Sequence, residues 1–232
     1  MEITHFFLRW IHFLAGITWI GILYYFNFVQ TPFFAETEAP VRVGAIQKLV
    51  PRALWWFRWG AMFTFLAGIL MYLMRLGDLG SEAFYTSSYG VAITLGGLMG
   101  TIMFLNVWLV IWPCQQIVIA STNQVAQGGQ ALPAAAGSAR RAALASRTNT
   151  VFSIPMLFFM GAASHYPSLV GPSASHGVFW VIVLIIIAAV ELNALVGTQG
   201  ATKKPLDSVS GALWFGFILT AVFYVLVLGL MR

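Results

Sequence analysis

Two groups of polar side chains interrupt an otherwise apolar chain, and both have residue types suited to chemistry. The first opens with Arg9-Trp10-Ile11-His12-Phe13-Leu14-Ala15-Gly16, an arginine and a histidine inside a run long enough to cross a bilayer. Hydrocarbon penalises ionisable groups that lack a partner or a role, so His12 marks a candidate functional position. His5, His165 and His176 are the other imidazoles. Two histidines on different helices suit bis-imidazole ligation of a b-type haem, with apolar walls around the porphyrin. His12 and His165 are the favoured axial pair and so the ligands of the haem iron. Arg9, one helical turn from His12, is placed to meet a haem propionate. Gly16, one turn the other way, has no side chain to obstruct a flat ring, and His176 is a further cofactor-side candidate. The competing reading makes His12 a packing residue bonded to a neighbouring carbonyl or hydroxyl, and His165 an interfacial cap.

The second group is Asn27, Arg58, Asn106, Glu191 and Asn193. Glu191 and Arg58 are expected at matching depth, where they would neutralise each other with the asparagines in support. A buried pair of this kind costs desolvation and needs such support. A structural ion pair that fixes helix register is the favoured interpretation, with a proton or quinone site as the alternative.

The elements that must position these groups follow from composition. Of 232 residues 59% are hydrophobic and 8% charged, and the mean hydropathy is +0.84. That balance excludes an ordinary water-soluble domain and gives an all-α, polytopic membrane protein. A span needs about 20 mostly apolar residues, and six segments qualify: about 6–31, 53–76, 89–112, 149–167, 177–197 and 209–231. The expectation is a single integral membrane domain, 1–232, built as a six-helix bundle. The apolar run from Phe6 is too long for a signal-peptide core and should remain as the first helix. Pro113 is expected to end the third helix, Pro155 to bend the fourth or free a carbonyl, and the Gly96/Gly100 spacing to let two helices approach closely. The stretch 121–147 reads as a surface helix or a mobile loop.

Loops one, three and five carry Arg42, Lys48, Arg52, Arg140, Arg141, Arg147, Lys203 and Lys204, eight of the twelve basic residues. The positive-inside rule makes those loops cytoplasmic and turns both termini outward. All four histidines then lie toward the outer face. The net charge of +5 is explained by these topology signals and not by nucleic acid, for which there is no basic patch. The single cysteine, Cys114, excludes an intramolecular disulfide, a multi-cysteine zinc site and covalent haem attachment. No phosphate loop, nucleophile elbow or paired carboxylates are present. A transporter ranks last, because the two polar layers lie near opposite faces with an apolar middle.

The third helix, Gly97-Leu98-Met99-Gly100-Thr101-Ile102-Met103 with Asn106-Val107 and Pro113-Cys114-Gln115, resembles the membrane domain of the bacterial urate hydroxylases. The resemblance extends through Asn149, Ile154-Pro155-Met156-Leu157-Phe158 and Ser164-His165-Tyr166-Pro167. It also takes in Arg9-Trp10-Ile11-His12, Trp19-Ile20-Gly21 and Trp56-Phe57-Arg58-Trp59, covering about residues 6–167. It implies an oxidoreductase domain in the bacterial inner membrane that passes electrons to a periplasmic c-type cytochrome, fused at the C-terminus in that family. The opening motif is also similar to membrane protoporphyrinogen oxidases that hold haem b through a first-helix histidine. This sequence ends at Arg232 without a cytochrome segment, so the expected acceptor is a separate c-type cytochrome. Arg147-Thr148 and Gly60 stand where the family usually has a histidine and an acid, which takes urate oxidation itself out of the expectation. The alternative role is a non-catalytic subunit of a larger membrane complex.

Overall fold

The computed structural model describes residues 2–171 and 174–232; residues 172 and 173, in the Gly/Pro/Ser stretch 168–176 whose composition reads as a turn, lie outside them. Among the described residues every regular element is helical. Helix α1 (Glu2–Tyr24) continues through a π-helical segment, Tyr25–Gln30, into α2 (Thr31–Glu36). After α3 (Ala39–Lys48), α4 (Val50–Leu79) returns along α1. The short α5 (Ser81–Thr86) leads to α6 (Ser88–Leu105), a second π segment, Asn106–Ile111, and α7 (Trp112–Ala126). Helices α8 (Ala135–His165) and α9 (His176–Leu195), a 3-10 turn at Ala201–Asp207, and α10 (Val209–Leu230) complete the chain.

Among the described residues five rods are long and apolar enough to span a bilayer: Glu2–Glu36, Val50–Leu79, Ser88–Ala126, His176–Leu195 and Val209–Leu230. The sixth expected segment, 149–167, forms the second half of α8. Its lower hydropathy has a structural cause, because α8 is the central helix and packs against α6, α7, α9 and α10. Thr148 through Ser153 are all fully buried. Six consecutive covered residues exceed one helical turn, so at that depth protein, not lipid, surrounds α8 on every side. Polar residues are tolerated there because other side chains satisfy them.

Small residues set the helix separations. On α4, Gly60, Thr64 and Gly68 recur every four residues and form one stripe facing α1. A Cβ on Gly60 would lie 3.1 Å from the Trp19 amide nitrogen, and one on Gly68 would lie 3.0 Å from the His12 ring. The expected close approach at Gly96 and Gly100 is present against Met156 and Met160 of α8. Pro155, inside α8, removes the amide that would bond the Val151 carbonyl. Gly216 of α10 closes over that carbonyl, where a Cβ would sit 2.9 Å from the oxygen.

Pro113 does not end the third helix, contrary to expectation. The π segment loosens the ladder just before it, and the rod continues to Ala126. Pro32 follows the first π segment in the same way. A wide turn absorbs a proline's missing donor that an unbroken α-helix would not. The stretch 121–147 comprises the end of α7, a connection at 127–134 and the start of α8.

The seams give a paired prediction. Gly96→Leu should lower stability by about 1–3 kcal/mol through overpacking, because Met156 and Met160 backbone atoms block the position. Gly97→Leu should be neutral, since nothing lies within 4 Å of its Cβ position. Thermal unfolding of both variants in one detergent checks the contrast.

Candidate functional sites at the two ends of the bundle

Alternation of the rods brings all four histidines to one end and the basic loops to the other. His12 lies in the α1/α4 seam, where its Nδ1 is 2.8 Å from the Thr64 carbonyl oxygen. A carbonyl only accepts, so Nδ1 carries the proton and Nε2 keeps its lone pair. Thr64 directs its own hydroxyl to the Gly60 carbonyl, 2.7 Å away, and the bare backbone of Gly68 makes room for the imidazole. Thus α4 fixes both the tautomer and the direction of His12, leaving one nitrogen able to ligate a metal or to accept a proton.

The other histidine-end residues are more dispersed. Arg9 is exposed on α1; Arg75 sits 5.5 Å from the centroid of the Tyr89 ring. Gly16 faces the Thr64 side chain, where a Cβ would make ordinary contact at 3.7 Å. His165 ends α8 exposed and has no hydrogen bond to a described residue. Its neighbour Tyr166 receives a 2.6 Å bond from Arg232. His176 opens α9 half-buried, and its Nδ1 is buried without a partner among the described residues, as is Nε2 of His5. No hydrogen bond or ring contact joins His12 to His165 among the described residues.

At the opposite end, the expected Arg58–Glu191 pair does not form. Arg58 stacks on Trp112, 3.8 Å from the ring centroid, and lies 5.0 Å from that of Trp108. A guanidinium is weakly hydrated and favours aromatic faces, and these two indoles take it away from Glu191. Glu191 instead accepts from Asn106 Nδ2 at 3.1 Å. The second Asn106 hydrogen goes to Asn149 Oδ1 at 2.9 Å, and Asn149 Nδ2 donates to the Met103 carbonyl at 3.0 Å. That carbonyl lies just before the π segment, where the helical ladder changes register. Asn27 serves the first π segment in parallel, donating to the Leu23 carbonyl at 2.8 Å and to Ser146 Oγ at 2.9 Å. Asn193 stands apart: it bonds Thr202, while Lys203 donates to the Asn193 and Val196 carbonyls and so caps α9.

The α4 stripe and the Asn106–Asn149–Glu191 chain escaped sequence reading in different ways. Gly60-x-x-x-Thr64-x-x-x-Gly68 was visible as a small-residue repeat. Nothing in the spacing distinguishes Asn149 from Asn193 as the partner of Asn106.

The sequence model of the family described as Urate oxidase N-terminal matches residues 79–226, more than half of the chain. No curated protein and no solved structure matches. The matched region runs from the end of α4 into α10, and so contains Asn106, Asn149, Glu191, His165 and His176. The α1/α4 hairpin with Arg9, His12 and Gly16 precedes it.

Replacing Asn149 by leucine removes two bonds, leaving one buried Asn106 side-chain hydrogen without its acceptor and the Met103 carbonyl with only the Asn106 backbone N–H. The expected loss is roughly 1–3 kcal/mol, whereas Asn193→Leu at the exposed α9 end should cost less than half as much. Urea or thermal unfolding of the two variants tests the ranking.

Proposed function

The chain belongs to the urate oxidase N-terminal family, and we propose that it is a membrane-integral redox protein that holds a b-type haem non-covalently and passes electrons to a separate c-type cytochrome. The observation that carries this reading is the state of His12. Ligating histidines almost always donate their other N–H to a carbonyl or carboxylate, which fixes the ring and raises its basicity. The Thr64 carbonyl does this for His12; the packing interpretation expects the same bond, and what the ligand role adds is a use for the remaining ring nitrogen. The two orphaned buried nitrogens at the same end, on His5 and His176, also suit a site whose ligand completes them.

In this reading His12 and His165 would hold the haem iron. A haem bound between them would supply a one-electron couple in a low-dielectric setting. Arg9, exposed at the mouth of the seam, would hold a propionate, with Gly16 keeping α1 close to α4 and His176 bordering the cofactor. The charge asymmetry of the loops turns this end outward in a bacterial inner membrane, toward a periplasmic electron acceptor.

Purified protein should give a reduced-minus-oxidised difference spectrum with a b-type band that is lost in His12→Ala and in His165→Ala. Gly68→Val should also lose the band, because its side chain would displace the His12 ring although neither histidine is replaced. A folded protein without such a band, or one whose band survives both histidine substitutions, overturns the proposal.

A further inference from the structure

A cavity of about 260 Å³ opens at the basic end, between the first π segment, α4, the start of α7, α8 and the 3-10 turn. Phe26, Val50, Leu54, Ile111 and Leu206 give it apolar walls, and Gln30, Gln115 and Arg147 bring polar groups to it. Arg147 decides what it can hold. The residue is 6% exposed, and its NH1 nitrogen is buried without a hydrogen-bond partner among the described residues. Asp207, an acid in the lining, is engaged by Arg140 at 2.8 Å, so with two arginines and one carboxylate the cavity keeps a net charge of one positive. The Gln30 side-chain oxygen is also buried and unpartnered.

A buried guanidinium N–H without an acceptor and a buried amide oxygen without a donor each cost free energy, and one ligand can satisfy both. We propose that this cavity binds a compact organic monoanion: an oxyanion such as a carboxylate on Arg147, an apolar or planar body against Phe26, Leu54 and Ile111, and an N–H or O–H group on Gln30. Its volume falls just below the range of drug-sized pockets and so favours a ligand of roughly a dozen heavy atoms or fewer. The site is at the far end of the bundle from His12 and does not depend on haem.

The test is a thermal-shift titration of the full chain in uncharged detergent with three probes: 4-hydroxybenzoate, benzoate and 4-hydroxybenzyl alcohol. The expected order is 4-hydroxybenzoate tightest, benzoate weaker for want of the donor, and the neutral alcohol at least tenfold weaker than the hydroxy acid. Arg147→Gln should reduce affinity for both acids tenfold or more. Gln30→Leu, which leaves the arginine in place, should abolish the preference for 4-hydroxybenzoate over benzoate and keeps the proposal testable if Arg147→Gln does not fold. Saturable binding that is equal in the native chain and both variants, or no saturable binding of either acid, overturns the proposal. A phospholipid phosphate is the other oxyanion available at this depth. Titration in nanodiscs of phosphatidylcholine with and without phosphatidylglycerol separates the two: full displacement of 4-hydroxybenzoate by phosphatidylglycerol would make the occupant a lipid headgroup and overturn the small-anion assignment.

Discussion

Every polar group within a bilayer must find its partner inside the protein, and α8 is where this chain meets that requirement. Its middle turns are enclosed on all sides, so Asn149 can serve as donor and acceptor at once, joining the Met103 carbonyl to Asn106 and through it to Glu191. Helices α6 and α9 are thereby tied to the centre by directional bonds, where apolar packing alone would leave their rotation open. A central helix that is polar where it is buried also looks less like a span than its neighbours do, and the fourth segment accordingly has the weakest hydropathy signal of the six.

Two devices place the remaining chemistry around that core. Small residues bring helices close enough for a side chain on one to reach the backbone of the next, as His12 does across the Gly60-Thr64-Gly68 stripe. The π segments do the reverse. They widen a turn, accommodate a following proline, and expose carbonyls that asparagines then satisfy. Both segments fall at the basic end, one lining the cavity with Asn27 and Gln30, the other presenting Asn106 to Asn149. The irregular helical turns and the polar sites coincide because each needs the other: a disturbed ladder frees acceptors, and buried amides require them.

Much of this was legible in the sequence. Hydropathy located the first, second, fifth and sixth spans to within several residues but stopped 14 short of the end of the third rod and began 14 past the start of α8; loop charges separated the two ends, and the histidines fell together as their positions within the spans required. The Gly96/Gly100 contact followed directly from its spacing. The helix through Pro113 did not, because a proline reads as a terminator unless the π turn before it is known, and no residue pattern announces that turn. Depth also proved a poor guide to pairing. Arg58 and Glu191 are at comparable heights, yet Trp108 and Trp112 hold the guanidinium, an outcome governed by the rotation of α4 and α7. The same limit hid the cavity: Arg147 is simply one more loop-proximal arginine until the fold places α2, α4 and the 3-10 turn around it.

The account rests most heavily on His12 as a ligand held in position from α4. Electron paramagnetic resonance of the oxidised protein tests this directly when combined with replacement of the side chain by free imidazole. The native chain should show a low-spin ferric signal, His12→Gly should lose it, and added imidazole should restore it by filling the vacated space. An unchanged low-spin signal in His12→Gly, or a folded native protein with no ferric haem signal, would contradict the assignment.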